Sequence, residues 1–278
     1  MNVSRLLCKI PVFLGIAAFT ATSAFADIRL ASHRAVYDLT YVESKENSVV
    51  IDVKGRIVFE MVGSPCEGYT VNMRIVTDLS YKGGKNGLTD TSMRNWESFD
   101  GNSFVFETAS RTNNKKTEEN RGSAERDENG NVIVNLVKPK QMKANLGANT
   151  VFPSDHLKLL IEAARNNQRI VVKKLFDGSE DGVSPFDTSA FIGNRIAPKD
   201  IKGKTDLTDK ERLEGLESWP ITLSYFKKDK VGEDVPDYEV NFHLHANGVS
   251  THLVFDYGDF VMAGPLKEFE LLKESSCD

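Results

Sequence analysis

Strict alternation of apolar and polar residues is the commonest pattern along this chain. Between residues 51 and 61, every second position is apolar or small, and the positions between them are mostly charged or polar: Ile51, Val53, Gly55, Ile57, Phe59 and Met61. After a break at Gly63-Ser64-Pro65 the same spacing continues through Tyr69, Val71, Met73, Ile75, Leu79 and Tyr81. Because successive side chains of a strand point to opposite faces, this spacing predicts two long neighbouring strands with one buried face.

Shorter alternating segments follow to the C-terminus, and they are separated by turn dipeptides such as Asp100-Gly101, Asn129-Gly130 and Asn247-Gly248. No Pro/Gly/Ser-rich linker divides them. We therefore expect a mainly β protein with one long antiparallel sheet. A sheet with so many strands has to curl, split or close, because open twisted sheets rarely exceed about ten strands. A curled sheet of this size commonly encloses a groove or cavity.

One segment has helical spacing instead. Its apolar residues Leu157, Leu160, Ile161 and Ala164 recur every three or four positions, which predicts one clear α-helix near 154–167. The Ser154 or Asp155 side chain is a candidate for capping its start. Charges of both signs dominate 199–217, where we expect an exposed loop with a short helical turn near 210–213.

The N-terminus has the features of a secretory signal peptide. Arg5 and Lys9 precede an apolar stretch of about a dozen residues from Ile10 to Ala21, and Ala24-Phe25-Ala26 fits a cleavage site. The stretch is too short to cross a bilayer, which takes roughly 20 residues. The prediction is a signal peptide over 1–26 and a mature chain over 27–278 that forms a single domain without a transmembrane segment.

Charge and composition limit the classes of partner that the sequence supports. The chain has 278 residues, of which 40% are hydrophobic and 27% charged, as in globular proteins. Two of its 35 Lys and Arg residues lie in the signal peptide, so the mature chain carries 33 of them against 40 Asp and Glu. An acidic chain without a Lys/Arg cluster is not expected to bind nucleic acid.

Two cysteines remain after the signal peptide, Cys66 near the first strand pair and Cys277 next to the C-terminus. Secretion takes them into a compartment that permits disulfides, so one intramolecular bridge is the economical prediction. Unpaired thiols or pairing between molecules are the alternatives.

The search for catalytic motifs finds no nucleophile elbow, zinc-protease motif, Cys-x-x-Cys, phosphate loop or dinucleotide fingerprint. His243 and His245 share one face of a predicted strand, and His252 lies on the paired strand, so the three are weak candidates for metal ligands. A polar face lining a groove is the alternative for them. His33 is a candidate partner for an acid, and His156 for a partly exposed polar role in the first helical turn.

Short sequence runs spread over the mature chain resemble the EipB-like family of periplasmic envelope-integrity proteins of alphaproteobacteria. They comprise 31–37, the helix entry 152–156 with 160–164, 175–179, 218–220, 224–226, 247–249 and 256–260. The early and terminal cysteines fit the same family. The resemblance implies a periplasmic protein folded as a long antiparallel sheet coiled into a β-spiral, with Cys66 bridged to Cys277, and it carries over no catalytic residue.

Together these observations favour a non-enzymatic periplasmic protein that supports cell-envelope integrity and stress resistance. It would bind a lipid, a lipoprotein segment or a peptide on the concave side of its sheet, and it would need no cofactor. A metal-assisted hydrolase acting on envelope material through His243, His245 and His252 is the alternative. A third hypothesis is a scaffold that docks another envelope protein.

Overall fold

The computed structural model describes residues 28–199, 201–203, 207–227, 235–274 and 277. The predicted signal peptide over 1–26 lies outside the described residues. The first eight strands are β1 (His33–Ser44), β2 (Val50–Ser64), β3 (Gly68–Tyr81), β4 (Lys85–Glu97), β5 (Ser103–Thr112), β6 (Lys115–Arg126), β7 (Val132–Lys138) and β8 (Met142–Asn145).

The rest of the described chain adds eight strands and two helices. They are β9 (Thr150–Val151), α1 (Pro153–Arg165), β10 (Ile170–Leu175), β11 (Phe186–Ile192), α2 (Asp209–Glu214), β12 (Ser218–Phe226), β13 (Tyr238–His245), β14 (Ser250–Asp256), β15 (Phe260–Gly264) and β16 (Leu266–Leu271).

All of these strands belong to one sheet that does not close. Its order is β8-β7-β6-β5-β4-β3-β2-β1-β15-β14-β13-β12-β11-β10-β9, so neighbours in space are almost always neighbours in sequence. β1 is the seam between the two halves, because β15 pairs with one end of its free edge and β16 with the other. Every pair is antiparallel except β9 with β10. The predicted long, coiled, mainly antiparallel sheet is confirmed.

Alternation decides which face lies inside the coil. In β5 the rings of Phe104 and Phe106 are fully buried, whereas Val105 between them is 48% exposed. β7 repeats the pattern with buried Val132, Val134 and Leu136. The inner face of the sheet is therefore the core, as the period-2 spacing predicts.

Helix α1 lies inside the coil rather than on its outside. Leu160 and Ile161 are completely buried and belong to the same cluster as Trp219 and Leu244 of β12 and β13. The helix that the sequence predicts near 154–167 is thus confirmed, with bounds at Pro153 and Arg165.

The capping expectation for α1 is wrong. Phe152 is the N-cap residue and its side chain makes no capping bond. Instead the carboxylate of Glu97, at the end of β4, accepts hydrogen bonds from the backbone N–H of Ser154 at 2.7 Å and of Asp155 at 2.8 Å. A carboxylate at a helix N-terminus satisfies free donors and meets the positive end of the helix dipole. Here it comes from a distant strand.

Two further predictions agree with the structure. Cys66, in the turn between β2 and β3, is bonded to Cys277 across 211 residues, with their Cα atoms 5.8 Å apart. The bridge attaches the C-terminal tail to the β2–β3 pair. In the charged segment, α2 covers the expected helical turn and starts with a capping box between Thr208 and Glu211.

Candidate functional site

The inner face of the coil is not filled everywhere. Between β1–β4 on one side and β11–β14 on the other there is a cavity of about 500 Å³, which is within the roughly 300–1,000 Å³ typical of small-molecule sites. We call it the interior cavity. Most of its wall is aliphatic or aromatic, including Ile57, Phe59, Met73, Val240, Phe242 and Phe255. These residues alternate along their strands with outward-facing ones, so the sheet itself builds the wall.

A row of aromatic rings runs along one side of the interior cavity. Tyr225 stacks on Tyr238 with ring centroids 4.4 Å apart, and Tyr238 lies 5.8 Å from Tyr257. Phe186 meets the first two rings edge-on at 5.4 and 6.0 Å. Phe186 belongs to β11, Tyr225 to β12 and Tyr238 to β13, and Tyr257 follows β14. We call the three tyrosines, Tyr225, Tyr238 and Tyr257, the tyrosine row.

The polar end of the cavity comes from the loop between β10 and β11. Asp177, Ser179 and Glu180 line the cavity from this loop. Oδ1 of Asp177 accepts hydrogen bonds from the backbone N–H of Ser179 at 2.9 Å and from its hydroxyl at 2.7 Å. Burial raises the pKa of the Asp177 carboxyl, and these two bonds oppose the rise.

This loop is held across the coil by contacts with the opposite half of the sheet. The side-chain amide of Asn120, a buried residue of β6, donates to the carbonyls of Ser179 and Glu180, each at 2.8 Å. Gly178 has φ +76°, and a Cβ there would stand 2.3 Å from the Phe106 ring. Only glycine fits this close approach at a positive φ. The acidic end of the cavity is therefore fixed by the fold.

A second, smaller cavity of about 170 Å³ adjoins the first and shares Phe59, Met73, Leu157 and Tyr225 with it. Glu97, the residue that caps α1, lines it. Burial raises the pKa of Glu97 to about 7, with a smaller contribution from the nearby Asp155 carboxylate. The two backbone N–H donors and Lys158 act in the opposite direction.

His33 belongs to the wall of the interior cavity and does not meet an acid. Its Nδ1 lies 2.7 Å from the carbonyl oxygen of Ala31, and its ring packs 5.2 Å from Phe59 and 5.9 Å from Phe269. Burial lowers the pKa of His33, which favours the neutral ring at neutral pH. The expectation of an acidic partner is wrong, because the strand pairing buries this ring among aromatic side chains.

The three weak metal candidates lie away from the polar end of the interior cavity. His243 and His252 have ring centroids 4.4 Å apart, and His245 Nε2 lies 3.1 Å from the Thr251 hydroxyl. His245 and His252 line a cleft beside α2 instead. Within the described ranges, no group of three His, Cys, Asp or Glu side chains is arranged to hold a metal ion.

His156 is also placed differently from its sequence expectation. It is 2% exposed, not partly exposed, because α1 is covered by the sheet on the side that carries this residue. Burial lowers its pKa to about 4.

Sequence reasoning missed the acidic end of the interior cavity and the tyrosine row. The Asp177-Gly178 dipeptide is a visible turn signal, but its contacts with strands β6 and β12 depend on how the sheet coils.

In the part of the chain that the structure describes, no helix is both long and apolar enough to span a bilayer.

Comparison with known proteins gives consistent results. The family model described as EipB-like matches residues 24–273. A curated relative, the cell envelope integrity protein EipB of Brucella abortus (strain 2308), is 35% identical over 260 residues, covering 94% of this chain and 91% of that protein. The crystal structure of a beta-barrel-like protein from Brucella abortus superposes with a TM-score of 0.79 at 34% identity, covering 88% of this chain and 100% of that one. This chain therefore belongs to the EipB-like family.

Proposed function

We propose that this protein supports cell-envelope integrity as a periplasmic, non-enzymatic factor that holds an apolar ligand in the interior cavity. The single domain over 27–278 and the cleaved signal peptide over 1–26 are part of this proposal. The observation that carries it is the cavity wall, which is built from aliphatic and aromatic side chains on both halves of the coiled sheet. The name of the Brucella relative supports the envelope role.

The energetics suit a lipid-like occupant. Burial of apolar surface contributes roughly 25 cal/mol per Å², so enclosing about 300 Å² of an acyl chain gives on the order of 7 kcal/mol before the costs of association. No reactive group is needed for such binding. Among the lipid, lipoprotein and peptide hypotheses, an aromatic and aliphatic wall favours a lipid chain, because an extended peptide requires backbone partners along a strand edge.

The metal-assisted hydrolase gains no support from its three candidate histidines. The rings of His243 and His252 pack against each other, and the ring of His245 makes a hydrogen bond with the Thr251 hydroxyl.

A cavity-blocking variant tests the proposal. Val240 lines the interior cavity, so Val240→Trp should fill much of it, whereas Val105→Trp places the same ring on the outer face of β5. Binding of long-chain alcohol is measured by its displacement of a neutral fluorescent apolar probe. Wild type and Val105→Trp should bind the alcohol, and Val240→Trp should lose most of this binding.

Unfolding curves show whether each variant is folded. Equal alcohol binding by folded Val240→Trp and wild type would contradict the proposal, and so would the absence of binding by wild type.

A further inference from the structure

We propose that the ligand of the interior cavity carries a cationic amine, which Asp177 binds at the polar end of the cavity. This inference rests on the proposed function and adds the chemistry of the head group. It treats the ligand as an amphiphile with an apolar chain and a positive end.

The charge of the cavity wall points in this direction. Asp177 and Glu180 are its two carboxylates, and its described lining residues include no Lys or Arg. Lys227, which is not part of the wall, pairs with Glu180 at 2.9 Å. Burial lowers the pKa of His33, the histidine among the described lining residues, and so disfavours its charged form. Asp177 is therefore an acid of the polar end for which the described residues supply no cationic partner.

Asp177 has an oxygen to offer a ligand. The N–H and the hydroxyl of Ser179 both donate to Oδ1. Among the described residues, none other than Ser179 and Asp177 itself donates a hydrogen bond to this carboxyl group. An ammonium group is a charged donor, so its hydrogen bond to Oδ2 would be stronger than that of a neutral donor.

The tyrosine row lines the same cavity as Asp177. Tyr238 is stacked between Tyr225 and Tyr257, and Tyr257 also stacks on Phe260, so the faces of these two rings are covered by other rings. The row therefore supplies apolar wall for the part of the ligand next to the ammonium group, and Asp177 supplies the interaction that is specific for its charge.

Other head groups fit less well. A carboxylate, sulfate or phosphate would face two carboxylates and no cation of the wall. A neutral alcohol could donate one hydrogen bond to Asp177 but would leave its charge uncompensated. The expected order of affinity at equal chain length is ammonium, then alcohol, then carboxylate.

The experiment compares dodecylammonium, dodecanol and dodecanoate below their aggregation concentrations, at neutral pH and physiological salt. Each competes for a neutral fluorescent apolar probe bound to the mature protein. We expect dodecylammonium to bind at least about tenfold more tightly than dodecanol, and dodecanoate to bind most weakly.

Two isosteric variants separate the cavity charge from the overall acidity of the protein. Asp177→Asn removes the proposed partner and keeps an acceptor for Ser179, so it should reduce the ammonium preference to about threefold or less. Asp187→Asn makes the same charge change on the exposed side of β11, where Asp187 pairs with Lys174 at 3.8 Å, and should keep the full preference.

The outcomes distinguish the two proposals. If dodecanol and dodecylammonium bind wild type equally, or if Asp177→Asn keeps the preference, the amine inference is wrong and the apolar cavity stands. If folded Val240→Trp still binds dodecylammonium as wild type does, the cation binds the acidic surface and the inference is also wrong. If none of the three amphiphiles binds, the proposed function itself fails.

Discussion

Two regions inside the coil are built from the same alternating strands, yet one is solid and the other hollow. In the solid region, Phe104 and Phe106 of β5 pack against Phe152 and Phe176, with Phe104 stacked on Phe152 at 4.9 Å. In the hollow region, the inner faces of β1–β4 and β11–β14 surround the interior cavity. The difference lies in segments outside the strands. Phe152, between β9 and α1, and Phe176, directly after β10, fill the solid region, whereas no described segment fills the other.

The comparison teaches that alternation fixes which face of a strand is inside, but not whether that inside is occupied. Gaps in a core normally lose packing contacts and destabilise a protein. The proposed binding of a ligand would account for a chain that fills one end of its coil with aromatic rings and leaves a cavity at the other end. The predictions below test this difference, from the largest expected effect to the smallest.

The same truncation in the two regions should have unequal costs. Phe106→Ala should reduce the free energy of unfolding by about 3–5 kcal/mol, because Phe106 is completely buried and contacts the edge of Phe176 at 5.3 Å. Phe255→Ala, in the cavity wall, should cost only about 1–2 kcal/mol, since its ring already borders open space. Urea unfolding measures both. Equal losses would mean that the cavity region is packed as tightly as the solid one.

The stability of the protein should depend on pH through Glu97, which lines the smaller cavity next to the interior cavity. Its pKa is raised from an ordinary value of 4.5 to about 7, so the folded state binds the proton more tightly than the unfolded state. Its contribution to stability is therefore present below about pH 4.5 and is lost as pH rises through about 7, by up to roughly 3 kcal/mol.

Urea unfolding of wild type and Glu97→Gln at pH 5 and pH 8 measures this contribution. The stability of wild type relative to Glu97→Gln should fall between these two pH values. A difference that stays constant would show that Glu97 does not titrate in this range. Asp155 and Lys158, the charged neighbours of Glu97, are present in both proteins, so the comparison reports the Glu97 carboxyl together with its interactions with these two groups.

The close approach of the β10–β11 loop to the solid region should be sensitive to a single methyl group. Gly178→Ala should cost about 1–3 kcal/mol, because the new Cβ would meet the Phe106 ring and the backbone has φ +76°. Gly83→Ala is the matched control, since Gly83 has φ +89° and open space around it. The difference between the two variants, from thermal or urea unfolding, isolates the contact with Phe106. No difference would mean that the loop is free to move away.

The smallest effect should come from tyrosine hydroxyls. Tyr37 donates to the backbone carbonyl of Ser250 at 2.7 Å, so Tyr37→Phe should cost about 1 kcal/mol. The Tyr238 hydroxyl has no hydrogen-bond partner among the described residues, and Tyr238→Phe should cost less than about 0.5 kcal/mol. Chemical denaturation of both variants and of wild type measures the two losses in the free energy of unfolding. A larger loss for Tyr238→Phe would show that its hydroxyl already has a structural role without ligand.

Much of the fold can be predicted from local sequence signals. Alternation around Ile57 and Ile75 predicts β2 and β3, the spacing of Leu160 and Ile161 predicts α1, and the two cysteines outside the predicted signal peptide predict the bridge. Each of these signals depends either on residues that are close in sequence or on the number of cysteines.

The site depends on contacts that no local signal contains. Glu97 caps α1 through the N–H of Ser154, 57 residues later in the chain, and Asn120 holds the carbonyl of Ser179, 59 residues away. Asp177 is an ordinary turn residue by sequence, and it becomes part of the cavity only because the sheet coils. The EipB-like resemblance supplied the coil itself, but not the residues that line it.

Native mass spectrometry of the protein purified from the periplasm without detergent tests the central claim most directly. The account predicts a complex with an amphiphile of low mass that contains an amine, and the loss of this complex in folded Val240→Trp but not in Val105→Trp. Bare polypeptide masses for wild type, together with no uptake of added dodecanol or dodecylammonium, would contradict it.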